Sequence, residues 1–297
     1  MNAETRTRPR KRGIVVPARS RTITRFDTPP QLDSHGNQRW VLRTAHFALA
    51  MTRIEGRATI DIRETAESMI VAPAALRVRV RVDTMQQQAP SEGDTLFILP
   101  PGESQVDVEG NGLLAHIVGT TSRETLGAAL NAADYAAGAP ELSECRAWPD
   151  PVNGFKLRHY RLDDYVDATQ PGRAFRCTNL MVNITDIYPG KRDSKKLKPH
   201  SHDDFEQITL TYAGRFAHHL RTPWGPDSTQ WQADEHLEID SPAAISLPAG
   251  LIHTSQALEA GCWLVDIFGP PRMDFSQMPG FVRNGDEYPL MEPHEDR

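Results

Sequence analysis

Residues 199–206 read PHSHDDFE, and residues 248–253, farther along the chain, read PAGLIH. In an extended strand successive side chains alternate between two faces, so His200, His202 and Glu206 would all project to one side. Imidazole and carboxylate groups at such spacing are typical ligands of divalent transition metals. The two stretches therefore predict a metal site that is formed by these three side chains and the histidine that ends the second stretch, His253.

The residues that follow the first stretch also favour a strand. Thr209, Thr211 and Tyr212 have high β propensity, and the two aspartates between the histidines leave no apolar helical stripe. Metal-binding pairs on helices sit four residues apart, as in HExxH, and that motif does not occur in the sequence. Alternation along this predicted strand would point Gln207 away from the metal.

Composition indicates an ordinary soluble globular protein. The chain has 297 residues, 24% charged and 39% hydrophobic, with a formal net charge of −6. This balance gives no reason to expect a nucleic-acid partner, and the sequence contains neither an apolar run long enough to cross a membrane nor the apolar core of a signal peptide. Its three cysteines are widely separated, which argues against a disulfide framework or a zinc knuckle. We therefore expect a cytoplasmic protein.

The chain divides into a tail and two halves rich in predicted strands. Residues 1–25 are strongly basic and poor in apolar side chains, which predicts a disordered tail. Residues 26–150 contain short predicted strands, among them 104–108 and 113–118 separated by a Gly-Asn-Gly turn, and then a short connecting helix. Residues 151–297 contain the metal motifs and further strands.

A local repeat relates the two halves. Residues 93–105 read GDTLFILPPGESQ and residues 241–253 read SPAAISLPAGLIH, so Leu-Pro-x-Gly recurs with Gln105 at the position of His253. The first half has no HxH motif. We interpret it as a degenerate copy of the second half that has lost its metal site.

The pattern HxHxxxE followed by PxGxxH resembles the paired motifs of the cupin superfamily. The residues that match it are His200, His202, Glu206 and Gly214, and then Pro248, Gly250 and His253. The resemblance implies an all-β fold of two tandem cupin (jelly-roll) barrels, the second of which binds one divalent ion through His200, His202, Glu206 and His253. Iron, manganese, zinc, nickel and cobalt all suit this ligand set.

Several functions are compatible with such a site. The architecture resembles that of cupin uronate isomerases of the ketol-isomerase type, which favours metal-assisted isomerisation, ring opening or elimination of a small anionic keto acid or uronate-like substrate. An Fe(II) dioxygenase that cleaves a small aromatic or diketone substrate is the first alternative. A non-catalytic metal-containing binding or regulatory cupin is the second. Cupins of this kind commonly pair through sheet edges, so we also expect a homodimer.

Four side chains are candidates for direct action on the substrate. His218 and Tyr212 follow the metal motif and could act as acid or base. Lys198 ends a basic loop that leads into His200, and such a loop could attract an anion. Arg272 could hold a carboxylate in bidentate fashion, although a structural salt bridge is the simpler expectation.

Overall fold

Antiparallel strands provide nearly all of the regular structure in the computed structural model, which describes residues 14–120, 122–146, 148–170 and 172–291. The strands up to the connecting segment are β1 (Thr22–Thr24), β2 (Gln31–Leu32), β3 (Gln38–Arg43), β4 (Phe47–Glu64), β5 (Ser68–Ala72), β6 (Leu76–Val82), β7 (Gln87–Pro90), β8 (Thr95–Leu99) and β9 (Gly102–Gly119). The later strands are β10 (Arg158–Arg161), β11 (Arg173–Arg176), β12 (Met181–Ile184), β13 (Gln207–Ala213), β14 (Arg215–Arg221), β15 (Glu235–Asp240), β16 (Ala243–Leu247), β17 (Ile252–Ala257) and β18 (Trp263–Phe268). Two short α-helices occur, α1 (Arg123–Gly127) and α2 (Met273–Ser276).

The first barrel is organised by two long strands, β4 and β9, that pair along their whole length. The C-terminal half of β9 also pairs with β5, and its N-terminal half pairs with β6. The predicted Gly-Asn-Gly turn is wrong, because these residues lie inside β9. Gly110 has a φ of 138° there, and a Cβ atom would come within 2.5 Å of the Ala75 carbonyl oxygen. The glycines thus serve the close approach of a neighbouring segment rather than a chain reversal.

The second barrel consists of a six-stranded sheet and a three-stranded sheet. The larger has the order β1-β16-β13-β18-β12-β11, and the smaller has the order β15-β14-β17. Along β13, Gln207, Thr209 and Thr211 alternate with Ile208 and Leu210. The two apolar residues belong to the large core cluster that the halves share, so the polar residues face the interior of the second barrel.

That shared cluster packs the two halves against each other. It contains Leu49 and Ile117 from the first sheet together with Phe175, Ile208 and Val265 from the six-stranded sheet, all of them fully or almost fully buried. Burial of this much apolar surface is the main stabilising contribution to the fold. A separate cluster around Ile54, Val80 and Val106 fills the interior of the first barrel.

The predicted fold class is confirmed: the chain is all-β, with barrel-like sheets in both halves and the short helix α1 between them. The predicted disordered tail is wrong for Thr22–Thr24, since β1 pairs with β16. Residues 1–13 lie outside the described part of the chain. β10 pairs with β8, so a strand that follows position 150 joins the first sheet.

None of the helices in the described residues has the length and apolar character needed to cross a membrane.

Candidate metal centre

Backbone hydrogen bonds bring the two histidine motifs together. The amide N–H of His200 donates to the carbonyl of His253 at 3.1 Å, and the amide of His253 donates back to His200 at 2.8 Å. The amide of Gly250 donates to the carbonyl of His202 at 2.7 Å. Gly250 has a φ of 84°, which a residue with a side chain rarely adopts. The Pro-x-Gly turn thus places the start of β17 directly beside the HxH segment.

His200, His202 and His253 converge as the sequence predicts. One potential ligand nitrogen from each lies within 4.8 Å of the others, a distance that a single ion can bridge. The ring centroids of His200 and His253 are 4.5 Å apart, and those of His202 and His253 are 5.2 Å apart. Among the described residues this is the one such group of three or more histidines, cysteines or acids.

Hydrogen bonds to backbone carbonyls fix the orientation of the His200 and His253 rings. Nδ1 of His200 donates to the Lys198 carbonyl at 3.0 Å, and Nδ1 of His253 donates to the Leu251 carbonyl at 2.9 Å. Because a carbonyl can only accept, Nδ1 carries the proton and Nε2 carries the free lone pair in both rings. Nε2 of His253 is buried and has no hydrogen-bond partner among the described residues. This is the arrangement that metal-binding histidines adopt.

Glu206 does not join the three histidines, which corrects the prediction of a fourth ligand at this position. Its carboxylate accepts a hydrogen bond from the backbone N–H of Ala45 at 2.6 Å and one from the hydroxyl of Tyr135 at 3.2 Å. A guanidinium nitrogen of Arg19 lies 4.0 Å away. Burial raises the pKa of Glu206. The side chain therefore ties the second barrel to the first half and to the connecting segment.

The prediction that Glu206 shares a face with the histidines fails because residues 201–206 do not form a strand. The segment bends at Asp203 and Asp204, and β13 begins only at Gln207. Alternation of side chains holds only while the backbone stays extended, so the bend reverses which residue meets the histidines.

Gln207, the residue after Glu206, contacts the histidine cluster instead. Its amide oxygen lies 3.1 Å from Nε2 of His202. Its amide nitrogen donates to Asp266 at 2.8 Å and to the hydroxyl of Thr209 at 2.8 Å, and that hydroxyl donates to Asp266 at 2.7 Å. Because Asp266 and Thr209 accept hydrogen bonds from the amide nitrogen, the amide oxygen points in the opposite direction, toward His202.

Sequence reasoning missed the buried support for this amide. Asp266 interrupts the apolar strand β18, and a single acid in such a strand is a usable signal of a buried polar contact. Burial raises the pKa of Asp266. Its carboxylate accepts from both Gln207 and Thr209 and thereby orients the amide toward His202.

Burial keeps two of the three histidines, His202 and His253, neutral. Burial, with a smaller contribution from Arg272, lowers the pKa of His202 to about 2. Burial likewise lowers the pKa of His253 to about 4. A metal binds the neutral imidazole, so these shifts leave the ligand nitrogens available well below neutral pH.

An open pocket of about 610 Å³ reaches the site from solvent. His200 and His202 form part of its wall, and Arg272 lies opposite. The Arg272 guanidinium is 3.6 Å from the ring centroid of Phe275 and forms a bidentate pair with Asp274 at 2.6 and 3.1 Å. Arg272 thus lines the pocket, but its guanidinium already forms the bidentate ion pair with Asp274 and so makes the structural salt bridge that was the simpler expectation.

Lys198 and the basic loop do not cover this pocket. The side chain of Lys198 is exposed and is absent from the pocket wall, and the contact it makes to the site is through its carbonyl. The loop instead docks along β17, where Arg192 donates to the carbonyl of Ser255 at 2.8 Å. The predicted substrate-binding role of Lys198 therefore has no support in the structure.

Neither predicted acid-base residue belongs to the cluster of three histidines, although His218 lies close enough to His253 to lower the pKa of that ring. Tyr212 points into the interface between the halves, where its hydroxyl donates to the carbonyl of Val71 at 3.1 Å and its ring stacks on Trp263, so the structure gives a catalytic role for this residue no support. His218 is inside the second barrel, with Nδ1 2.9 Å from the hydroxyl of Ser255. Burial lowers its pKa to about 4. It does not line the pocket.

The side chains that are present fit a divalent ion. The three imidazoles form a nitrogen donor set, beside which lies the amide oxygen of Gln207, and such a set suits manganese, iron, cobalt, nickel or zinc. The buried Nε2 of His253 without a partner is the feature that such an ion would satisfy.

Neither a protein-family model nor a curated protein sequence matches the chain. Solved structures do resemble it. An oxalate decarboxylase from Lactobacillus farciminis, solved as a formate complex, aligns with a TM-score of 0.53 and 11% identity over 84% of this chain and 86% of its own. YlbA from E. coli aligns with a TM-score of 0.55 and 8% identity over 88% of this chain and 96% of its own. Oxalate decarboxylase from Bacillus subtilis, described with Mn(II) centres, aligns with a TM-score of 0.52 and 12% identity over 86% and 81%.

Identities this low show a shared fold and leave the activity open. The alignments extend over most of the chain, and the predominance of strands agrees with them. The chain is therefore an all-β protein with the cupin, or jelly-roll, fold.

Proposed function

We propose that this protein is a divalent-metal-dependent enzyme that acts on a small oxygenated anion such as a keto acid or a uronate-like sugar acid. The observation that carries the proposal is the cluster of three histidines, two of which line an open pocket and one of which contacts the amide oxygen of Gln207. A purely structural ion has no need of such access.

The roles of the chain's own residues follow from this geometry. His200, His202 and His253 would hold the ion, and Gln207 would complete the set, with its amide held in place by Asp266 and Thr209. When bound, a divalent ion supplies a Lewis acid that polarises a carbonyl or carboxylate oxygen. The pocket wall carries Asp203, Asp204 and Asp274 against Arg272, so an anionic substrate would depend on the charge of the ion for its attraction.

The similar structures support this proposal and suggest which ion to test first. Oxalate decarboxylase acts on a small carboxylate, and the Bacillus subtilis protein is described with Mn(II) centres. We therefore propose Mn(II) as the first ion and include oxalate among the first substrates.

The test is a turnover assay on the metal-free chain after reconstitution with Mn(II), Fe(II), Co(II), Ni(II) or Zn(II). Oxalate, short keto acids and unsaturated uronates are supplied under air and under nitrogen, and His202→Ala serves as the inactive control. We expect turnover under nitrogen that His202→Ala abolishes. Strict dependence on Fe(II) and oxygen would indicate a dioxygenase instead, and metal binding without any turnover would indicate a binding protein.

A further inference from the structure

Two further histidines, His219 and His236, meet on the outer face of the second barrel. Strand register places His219 on β14 directly opposite His236 on β15, so their side chains share a face. It is the face opposite to that of His218, which lies inside the barrel, because successive residues of a strand alternate between faces. The fold thus holds two imidazoles side by side on paired strands, outside the cluster of three histidines.

The two rings contact each other through their nitrogens. Nδ1 of His219 lies 2.8 Å from Nδ1 of His236, and the ring centroids are 5.0 Å apart with the ring planes inclined at 64°. One Nδ1 donates a hydrogen bond and the other accepts it, so at least one of the two rings is neutral. The Nδ1 atoms of both rings therefore converge on one point.

The separation of the two nitrogens suits a single transition-metal ion. The bond from an imidazole nitrogen to such an ion is about 2.0–2.1 Å long. Two nitrogens at that distance lie about 2.8–3.0 Å apart when the bonds meet at a right angle, as in tetragonal complexes. In a tetrahedral complex they lie about 3.3–3.4 Å apart. The pair therefore has the spacing that Cu(II) or Ni(II) requires rather than the spacing that Zn(II) requires.

An ion can reach the pair from solvent. His236 is exposed, and His219 is partly exposed. The two acids that flank His236 on the same face, Asp234 and Glu238, are each paired with an arginine of β14, at 2.9 and 3.6 Å. The imidazoles are therefore the main ligand groups that this surface offers, and water would fill the remaining positions around an ion.

We propose that His219 and His236 form a second metal site, which binds one Cu(II) or Ni(II) ion through both Nδ1 atoms. The ring that donates in the present contact would carry its proton on Nε2 instead, so that both Nδ1 lone pairs face the ion. Mn(II), at the low end of the affinity order of divalent ions, would bind far more weakly to two imidazoles. The site shares no residue with the histidine cluster and does not depend on the proposed function.

The experiment is isothermal titration calorimetry with Ni(II) on the full chain that carries His200→Ala and His202→Ala, which together disable the cluster of three histidines. We expect about one equivalent of Ni(II) to bind. Addition of His219→Gln or His236→Gln should weaken the affinity by about tenfold or more, because the second ligand of a chelate binds from a high effective concentration. Both positions are at least partly exposed, so these variants should fold.

His159→Gln is the matched control. His159 is an exposed histidine on β10, and its ring stacks on Phe97 rather than on a second histidine. The substitution should leave the Ni(II) affinity unchanged. Electron paramagnetic resonance of one Cu(II) bound to the same double variant adds a direct readout of the ligands. The spectrum should show coupling to two imidazole nitrogens, and His236→Gln should reduce this to one.

Three results would overturn the proposal. These are the absence of Ni(II) binding to the double variant, Ni(II) binding that both His219→Gln and His236→Gln leave intact, and a loss of affinity in His159→Gln as large as that in His236→Gln.

Discussion

Two adjacent side chains, Glu206 and Gln207, have opposite roles although the sequence motif suggests only one of them as a ligand. Glu206 accepts hydrogen bonds from Ala45 and Tyr135 and links the halves of the molecule. Gln207 faces His202 from within the barrel. The bend that precedes β13 therefore decides which of the two side chains faces His202.

Substitution of each residue in turn distinguishes their roles. Gln207→Leu should weaken Mn(II) affinity by about 10–100-fold, the usual effect of losing a ligand or its support. Glu206→Gln should leave the affinity within about twofold and should instead lower the thermal midpoint, because buried contacts weaken. Mn(II) titration and thermal denaturation of both variants provide the measurement. The opposite pattern, with Glu206→Gln losing the metal, would restore Glu206 as the ligand.

His218 should make the stability of the metal-free protein depend on pH. Burial lowers its pKa from 6.5 to about 4, so the unfolded chain takes up a proton that the folded chain does not. The contribution to the free energy of unfolding is fully present above pH 6.5. It should be lost as the pH falls toward 4, with a slope of up to about 1.4 kcal/mol per pH unit.

The control for this prediction is His218→Gln, which can keep a hydrogen bond to Ser255 but does not titrate. Urea unfolding of both proteins between pH 4 and 8 gives the comparison. The wild type should lose stability relative to the variant only below pH 6.5. Parallel curves over the whole range would show that His218 does not titrate as described.

At the scale of secondary-structure elements, the turn that contains Gly250 positions His253. In both copies of the Leu-Pro-x-Gly repeat the leucine ends a five-residue strand, β8 in the first barrel and β16 in the second. A Cβ atom at Gly250 would come within 2.5 Å of the Val15 carbonyl oxygen. The N-terminal segment thus packs directly on this turn.

Gly250→Ala should therefore be more destabilising than a glycine substitution of equal backbone strain. Gly261 is the matched control, since its φ of 82° is nearly the same as the 84° of Gly250 but a Cβ there meets no atom within 4 Å. We expect Gly250→Ala to lower the free energy of unfolding by at least about 1 kcal/mol more than Gly261→Ala, and to weaken metal binding. Equal effects in denaturant unfolding would mean that the contact with Val15 has no importance.

The elements also show how far the sequence could predict the site. The three histidines are predictable because one pair lies two residues apart and the third ends a Pro-x-Gly turn. The orientation of Glu206 is not predictable, because the alternation of side chains is interrupted where Asp203 and Asp204 bend the chain. The continuity of β9 through Gly110 and Gly112 is not predictable either, since glycine is equally common in turns and where another backbone segment approaches closely.

At the scale of the whole molecule, the two barrels share one apolar core. Phe175 is fully buried in it and contacts Tyr160 and Tyr165 at ring distances of 5.0 and 5.1 Å. Tyr160 lies on β10, which belongs to the sheet of the first half. The interface is thus continuous with the interior of both halves, and we expect them to unfold together.

Phe175→Ala should test this coupling. The loss of a buried aromatic ring costs about 3–5 kcal/mol, and the shared core would transmit the loss to both halves. Unfolding in denaturant, followed by far-UV circular dichroism and by tryptophan fluorescence, should give one transition that moves as a whole to lower denaturant. Two separate transitions, of which the substitution moves only one, would show that the barrels are independent.

The histidine cluster of the second barrel is the central feature of the molecule, and metal stoichiometry tests its proposed role most directly. The metal-free wild type and the His202→Ala variant are titrated with Mn(II), and the bound metal is then quantified by elemental analysis after gel filtration. One ion per chain should remain bound to the wild type, and His202→Ala should retain almost none. A wild type without bound metal, or a variant that keeps a full equivalent, would contradict the assignment of the site to His200, His202 and His253.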